Sequence, residues 1–133
     1  MAQSAYPDKP VHLIVAFVPG GATDTLARQL QNDLQAALGQ PVVIENRPGG
    51  SGYLAWNHVA SSEPDGYTLL LAENALAISQ ALYKRSKSSF DPLTQYDAIA
   101  GLAASPSALI VANSVPANTV AELVALSRTV SQK

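Results

Sequence analysis

Two glycine-rich segments hold the groups best suited to chemistry in this sequence. The first is Phe17-Val18-Pro19-Gly20-Gly21-Ala22-Thr23-Asp24, and the second is Pro48-Gly49-Gly50-Ser51-Gly52. A third short segment, Ala72-Glu73-Asn74, shares their context, with an apolar run before it and a helical pattern after it. A chain that leaves a strand and enters a helix exposes about four unpaired backbone N–H groups and roughly half a positive charge at the helix start. Glycine removes the Cβ that would hold a ligand away from that backbone. The chemistry favoured is anion binding, of a carboxylate or a phosphate. Ligands of open α/β sheets sit outside the carboxyl ends of the strands, so loops at matching positions should open onto one crevice. Each glycine loop taken alone also reads as a plain tight turn; it is the matched placement that strengthens the ligand reading.

Other chemistries find little support. The phosphate-loop pattern G-x-x-x-x-G-K-[ST] does not occur, Gly49–Gly52 is out of phase with G-x-G-x-x-G, and no Lys lies near either glycine loop. Ser51 lacks the G-x-S-x-G elbow of a nucleophile. Cysteine is absent, which excludes disulfides and thiolate chemistry without fixing the compartment. His12 and His58 have no acid or thiol at a ligand spacing and read as core or surface residues. No catalytic residue, metal or cofactor is therefore expected. Asp24, as an N-cap or first-turn acid, stabilises the helix start, a role compatible with bonding a ligand or its water. Arg47 has the fork to grip a carboxylate but an adjacent partner in Glu45, which favours a structural role. Trp56 reads as packing, and Tyr53 as the better candidate to wall a crevice.

The elements that must position these loops follow from periodicity. Val11 to Val18 reads as a buried strand stopped by Pro19-Gly20-Gly21. A helix from Thr23 to Leu38 places Leu26, Ala27, Leu30, Leu34, Ala37 and Leu38 on one stripe. Gly39 then serves as its left-handed C′ residue, and Pro41 bars continuation. A second strand lies within Pro41 to Glu45, a short helix over Tyr53 to Ser61, a turn at Pro64-Asp65-Gly66, a third strand over Tyr67 to Leu71 and a helix over Ala75 to Tyr83. Ser86 to Pro92 reads as a polar loop, with Lys84-Arg85 and Lys87 as a solvated turn. Asp97 to Ala103 and Leu109 to Ala112 are expected to be two further strands, separated by Ser105-Pro106-Ser107. A final helix over Val120 to Arg128 opens with the capping box Thr119…Glu122. Alternating strands and helices imply an α/β fold, a mostly parallel sheet with helices on both faces.

Bulk properties set the outer bounds. The 133 residues suit one compact domain, and 47% hydrophobic with 14% charged residues supports a real core. A net charge of −2 with 8 Lys and Arg leaves no basic stripe for nucleic acid. No run approaches the roughly 18 to 20 apolar residues of a membrane helix. Met1 to Pro10 shows no charged region followed by an apolar one, so no signal peptide is read there. The final helix runs into Ser131-Gln132-Lys133 where a doubly wound fold would cross to another strand, so the chain is expected to be cut short.

Taken together, Tyr6-Pro7, Lys9-Pro10, Leu13-Ile14-Val15, Phe17 to Asp24, Leu26-Ala27-Arg28, Leu38 to Gly49 and Pro64-Asp65-Gly66-Tyr67-Thr68-Leu69-Leu70 closely resemble the Bug family, the solute receptors of tripartite tricarboxylate transporters. The resemblance runs from about Tyr6 to Arg128. It implies a periplasmic-binding-protein-like (type II) fold that closes on its ligand, a periplasmic location and transporter subunits in the membrane as partners. It also implies a carboxylate ligand, whether a di- or tricarboxylate, an amino acid or an aromatic acid. The residues matching the family's site are Phe17, Pro19, Gly20, Gly21, Ala22, Thr23 and Asp24 in the first loop. The second loop contributes Gly49, Gly50, Ser51 and Gly52, and the third Glu73 and Asn74. By the same likeness, residues 1–100 form the first domain and 101–133 the truncated start of the second. Three departures stand out: the family is about twice as long, Glu73 stands in a loop usually rich in Gly, Ser and Thr, and Tyr53 follows a larger second loop. An incomplete fold also raises the alternative of a non-binding remnant, or of self-association through an unfinished sheet edge.

Overall fold

The computed structural model describes residues 6–83, 91–104 and 106–130. The expected Lys84-Arg85-Lys87 turn, most of the Ser86–Pro92 loop, Ser105 and the last three residues lie outside them. The chain divides into two compact units, residues 1–98 and 99–133.

The first unit is built on three parallel strands, β1 (Val11–Val15), β2 (Val42–Asn46) and β3 (Thr68–Leu71), in the order β2-β1-β3. Val11 pairs with Val42, and Val15 with both Asn46 and Leu71. The central strand is shorter than its apolar run implied. It ends at Val15, and Ala16 and Phe17 already bend away into the first loop. Its side chains alternate between two cores, as the strand period of two requires. Leu13 and Val15 join Ala27, Val42 and Leu71 under helix α1 (Ala22–Leu38), with Leu34 and Leu38 packed alongside. Ile14 and Ala16 join Ala55 and Trp56 of α2 (Tyr53–Ala60) on the opposite face, where Ala75 and Leu76 of α3 (Asn74–Tyr83) also pack. Helices thus cover both faces, which accounts for β1 being buried on both sides.

Local signals agree with these boundaries. Gly39 takes the left-handed conformation (φ 67°, ψ 12°), and its N–H donates to Gln35 O, closing α1. The Pro64-Asp65-Gly66 turn is closed by Asp65 Oδ1, which accepts the Tyr67 N–H at 3.0 Å. The N-terminal segment is clasped to this turn: the Tyr6 hydroxyl donates to Gly66 O at 2.8 Å, and Lys9 pairs with Asp65 at 3.2 Å. A short helix, α4 (Pro92–Gln95), lies outside the elements expected above, although Asp91 followed by Pro92 is a helix-start pair. The residue after it, Tyr96, donates its hydroxyl to the Trp56 carbonyl at 2.5 Å, and burial pushes its phenol up to about 12. Tyr96→Phe is expected to lower stability by about 0.5–1.5 kcal/mol, read as an earlier urea midpoint at unchanged slope. An unshifted midpoint would show that this bond contributes nothing net.

The second unit corrects the sequence reading. Asp97–Ala103 and Leu109–Ala112 are not strands: among the described residues these stretches pair with no other backbone segment. Their apolar side chains lie open, Ile99 at 80% and Ile110 at 85% exposure. Alternating hydrophobicity makes a strand only where a neighbouring edge can take up its N–H and C=O groups. The final helix, α5 (Val120–Val130), starts as expected. The Glu122 N–H donates to Thr119 Oγ1 at 3.2 Å, while Glu122 Oε2 accepts from the N–H of Asn118, one residue earlier than the usual box.

Candidate ligand-binding site

Parallel pairing puts the carboxyl ends of all three strands on one edge of the sheet, so the three expected loops emerge side by side. The loop after β1 turns to the α1 face, whereas the loops after β2 and β3 turn to the α2 and α3 face. Strands whose following loops diverge in this way leave a crevice between them, the usual ligand position in open α/β sheets.

The first loop is held rigidly from within. Asp24 is the third residue of α1 rather than its N-cap; Gly21 is the N-cap and has no side chain to contribute. The Asp24 carboxylate is 2% exposed and fully engaged. Oδ2 accepts from the Gly20 N–H at 2.8 Å and from Arg28 Nε at 2.9 Å, and Oδ1 accepts from Asn46 Nδ2 at 3.0 Å. Asn46 Nδ2 also donates to Phe17 O at 3.1 Å. The Arg28 guanidinium, with the Gly20 N–H and the Asn46 amide, holds Asp24 well below the usual carboxylate range despite its burial. Asp24 therefore works as the anchor of the loop. Asn46 at the end of β2 and Arg28 one turn along α1 complete that anchor, and sequence reasoning did not single out either one. Asn as the last residue of a strand, beside a glycine loop, was the available signal.

What the first loop offers outward is backbone. Helix geometry leaves the N–H groups of Ala22, Thr23 and Asp24 without carbonyl partners, and none of the hydrogen bonds among the described residues uses them. Gly20 adopts φ 84° with open space around its Cα, and Pro19 and Gly20 are exposed.

The second loop is a left-handed run. Gly49, Gly50, Ser51 and Gly52 all have positive φ, Ser51 at 54°, and the segment Gly50–Gly52 forms a single 3₁₀ turn ahead of α2. Gly52 is buried against the Trp56 ring, while Gly49, Gly50 and Ser51 are exposed. Arg47 takes the structural role: its Nη2 meets Glu45 Oε2 at 2.9 Å, and Glu45 Oε1 lies 2.6 Å from His12 Nδ1. Arg47 first, and His12 second, lower the Glu45 carboxyl. The third loop reaches the first directly: the Thr23 hydroxyl donates to Glu73 Oε1 across the β1–β3 opening. Asn74, exposed, begins α3.

A surface depression of about 510 Å³ lies elsewhere, at the amino ends of the strands among Lys9, His12, Glu63, Asp65 and Thr68. It is wide open and lacks helix N-termini pointing inward, so it is a weaker candidate than the loop edge. Among the described residues no cluster of His, Asp and Glu is arranged to hold a metal ion.

The parallel α/β sheet with its loops gathered at one edge is the fold shared with solved solute-binding and periplasmic transport proteins. The family model described as the tripartite tricarboxylate transporter family receptor matches residues 26–133, and the chain belongs to that family. A UPF0065 protein of Bordetella pertussis is 39% identical over 120 residues, covering 90% of this chain and 36% of that protein. A solved R. palustris protein with adipate superposes with a TM-score of 0.71 at 33% identity, covering 93% of this chain and 41% of the other. Another, described as a periplasmic transporter, gives a TM-score of 0.61 at 40% identity over 66% of this chain and 29% of its own. The chain thus spans roughly a third of the length of the curated relatives it matches.

Proposed function

We propose that the chain carries the carboxylate-capturing loops of a periplasmic solute receptor, which passes its ligand to membrane subunits of a tripartite transporter. The observation that carries this reading is the set of first-turn N–H groups of α1, at Ala22, Thr23 and Asp24, left without protein acceptors among the described residues at the carboxyl end of the sheet. A ligand carboxylate placed there gains several charge-assisted N–H bonds and the favourable end of the helix dipole. Gly49, Gly50 and Ser51 supply the facing backbone, with Phe17, Pro19, Gly20 and Gly21 shaping the near wall and Glu73 and Asn74 the far one. Binding, not turnover, is the expected activity, since the site presents backbone donors and a carboxylate anchor already consumed by the fold. The adipate on the R. palustris relative supports a small organic acid as the ligand class.

A thermal-shift panel of mono-, di- and tricarboxylates and amino acids, against chloride and phosphate, tests this. At 100 times its dissociation constant a ligand adds about 2.7 kcal/mol, a rise of roughly 10 °C or more for a unit of this size. A cooperative melt that no carboxylate moves would overturn the proposal. A second reading, self-association, draws on the exposed Ile99, Leu109 and Ile110 and on β2 and β3 as sheet edges. Light scattering that gives a monomer mass across a hundredfold concentration range would remove it.

A further inference from the structure

We infer that Glu73 sets the ligand specificity of this site, selecting a carboxylate that also carries an ammonium group, that is, an amino acid over the dicarboxylate of the same skeleton. The inference rests on the carboxylate-site reading above and adds which carboxylates are taken.

Donors and acceptors decide the matter. Thr23 stands in the first turn of α1, directly among the N–H groups that would hold a carboxylate. A free threonine hydroxyl there would serve as one more donor to that anion. Here the hydroxyl proton is turned away from the anion position and given to Glu73 Oε1. Only the oxygen lone pairs of Thr23 remain. Glu73, half-buried in the loop after β3, can only accept. No ion pair among the described residues involves it. The β1–β3 opening is therefore divided: backbone donors on the α1 side, and a pair of acceptors, one of them a carboxylate, where Thr23 and Glu73 meet. A second carboxylate on the ligand would face Glu73 with like charge and no donor to bridge them. An ammonium would meet Glu73 with opposite charge and give its protons to both Glu73 and Thr23. The ligand that satisfies both halves carries –COO⁻ and –NH₃⁺ within a few bonds of each other.

The test is isothermal titration of the full chain with matched pairs, succinate against L-aspartate and glutarate against L-glutamate. It is run on the wild type, Glu73→Gln and Glu73→Ser, each checked for an unchanged circular dichroism spectrum. Gln keeps the shape and an oxygen for Thr23 while removing the charge; Ser restores a small, donor-bearing loop. The wild type is expected to favour the amino acid of at least one pair by about tenfold or more, and both variants to erase or reverse that preference. Wild-type binding of the dicarboxylate as tightly as its amino acid, or a preference unchanged in Glu73→Gln, overturns the role of Glu73 and leaves carboxylate capture standing. Binding of no carboxylate by any of the three proteins overturns the site itself, and the specificity with it.

Discussion

Gly52→Ala is expected to cost the first unit about 2–5 kcal/mol of stability. A Cβ on Gly52 would sit 2.4 Å from Cζ2 and 2.7 Å from Cε2 of Trp56, far inside contact distance, and the atoms it strikes belong to a rigid, fully buried ring. The ring cannot swing away without leaving Ile14, Ala16 and Ala55 unpacked. The backbone adds to the conflict, since φ at Gly52 is 103°, where an L side chain is strained. Overpacking a core costs about 1–3 kcal/mol and a left-handed residue about 1–2 kcal/mol. Together these approach the lower end of the ~5–15 kcal/mol that holds a whole domain folded. Because Trp56 is the only tryptophan, loss of its near-ultraviolet dichroism reports unfolding without labels. Gly20→Ala is the control. Its φ is 84° but nothing lies within 4 Å, so only the conformational part, about 1–2 kcal/mol, should appear. Equal melting of the two variants would show that the second loop reshapes freely around Trp56.

Asp24→Ala is expected to have the next largest effect, a fall in melting temperature of roughly 5–10 °C. It strands three donors at once: the Gly20 N–H, the Arg28 guanidinium and the Asn46 amide. Its pH behaviour identifies the cause. The folded carboxyl is held below its ordinary 3.8, so its stabilisation is complete above about pH 4 and is lost as pH falls below that value toward the depressed folded pKa. Glu45, lowered by Arg47 and His12, adds to the loss in the same direction. Asp24→Asn should therefore flatten the acid limb of a stability–pH curve measured from pH 6 to 2. An acid limb as steep in Asp24→Asn as in the wild type would place the pH dependence elsewhere. Ligand affinity, measured where the variant remains folded, should fall as well, because the first-loop N–H groups, that of residue 24 among them, lose the fixed aim that the Asp24 side chain gives them.

What the sequence disclosed well was local. The stripe of α1, apart from the exposed Ala37, its stop at Gly39, the Asp65 turn and the Thr119–Glu122 start of α5 each depend on residues within a turn of one another. The parallel sheet and the shared edge of the three loops also followed from alternating elements. Less legible was anything set by which strands are neighbours. The Thr23–Glu73 bond exists because β3 lies beside β1, and the order β2-β1-β3 is not written in any short motif. Asn46 shows the same limit: its amide acts 22 residues from Asp24 and 29 from Phe17. The misread stretches at Asp97–Ala103 and Leu109–Ala112 fail for the converse reason. Their composition suits a strand, but a strand is a relation between two segments.

The sheet has an awkward birth order. Its middle strand, β1, is synthesised first, and its partners on the two sides, residues 42–46 and 68–71, come later. Until those partners join it, β1 has both backbone edges and both apolar faces uncovered. The β1-α1-β2 half can close early, over a short loop, but the seam with β3 must form against a longer entropic span. In that interval Val11 to Val15 is the stretch at which an aggregation defect should first show.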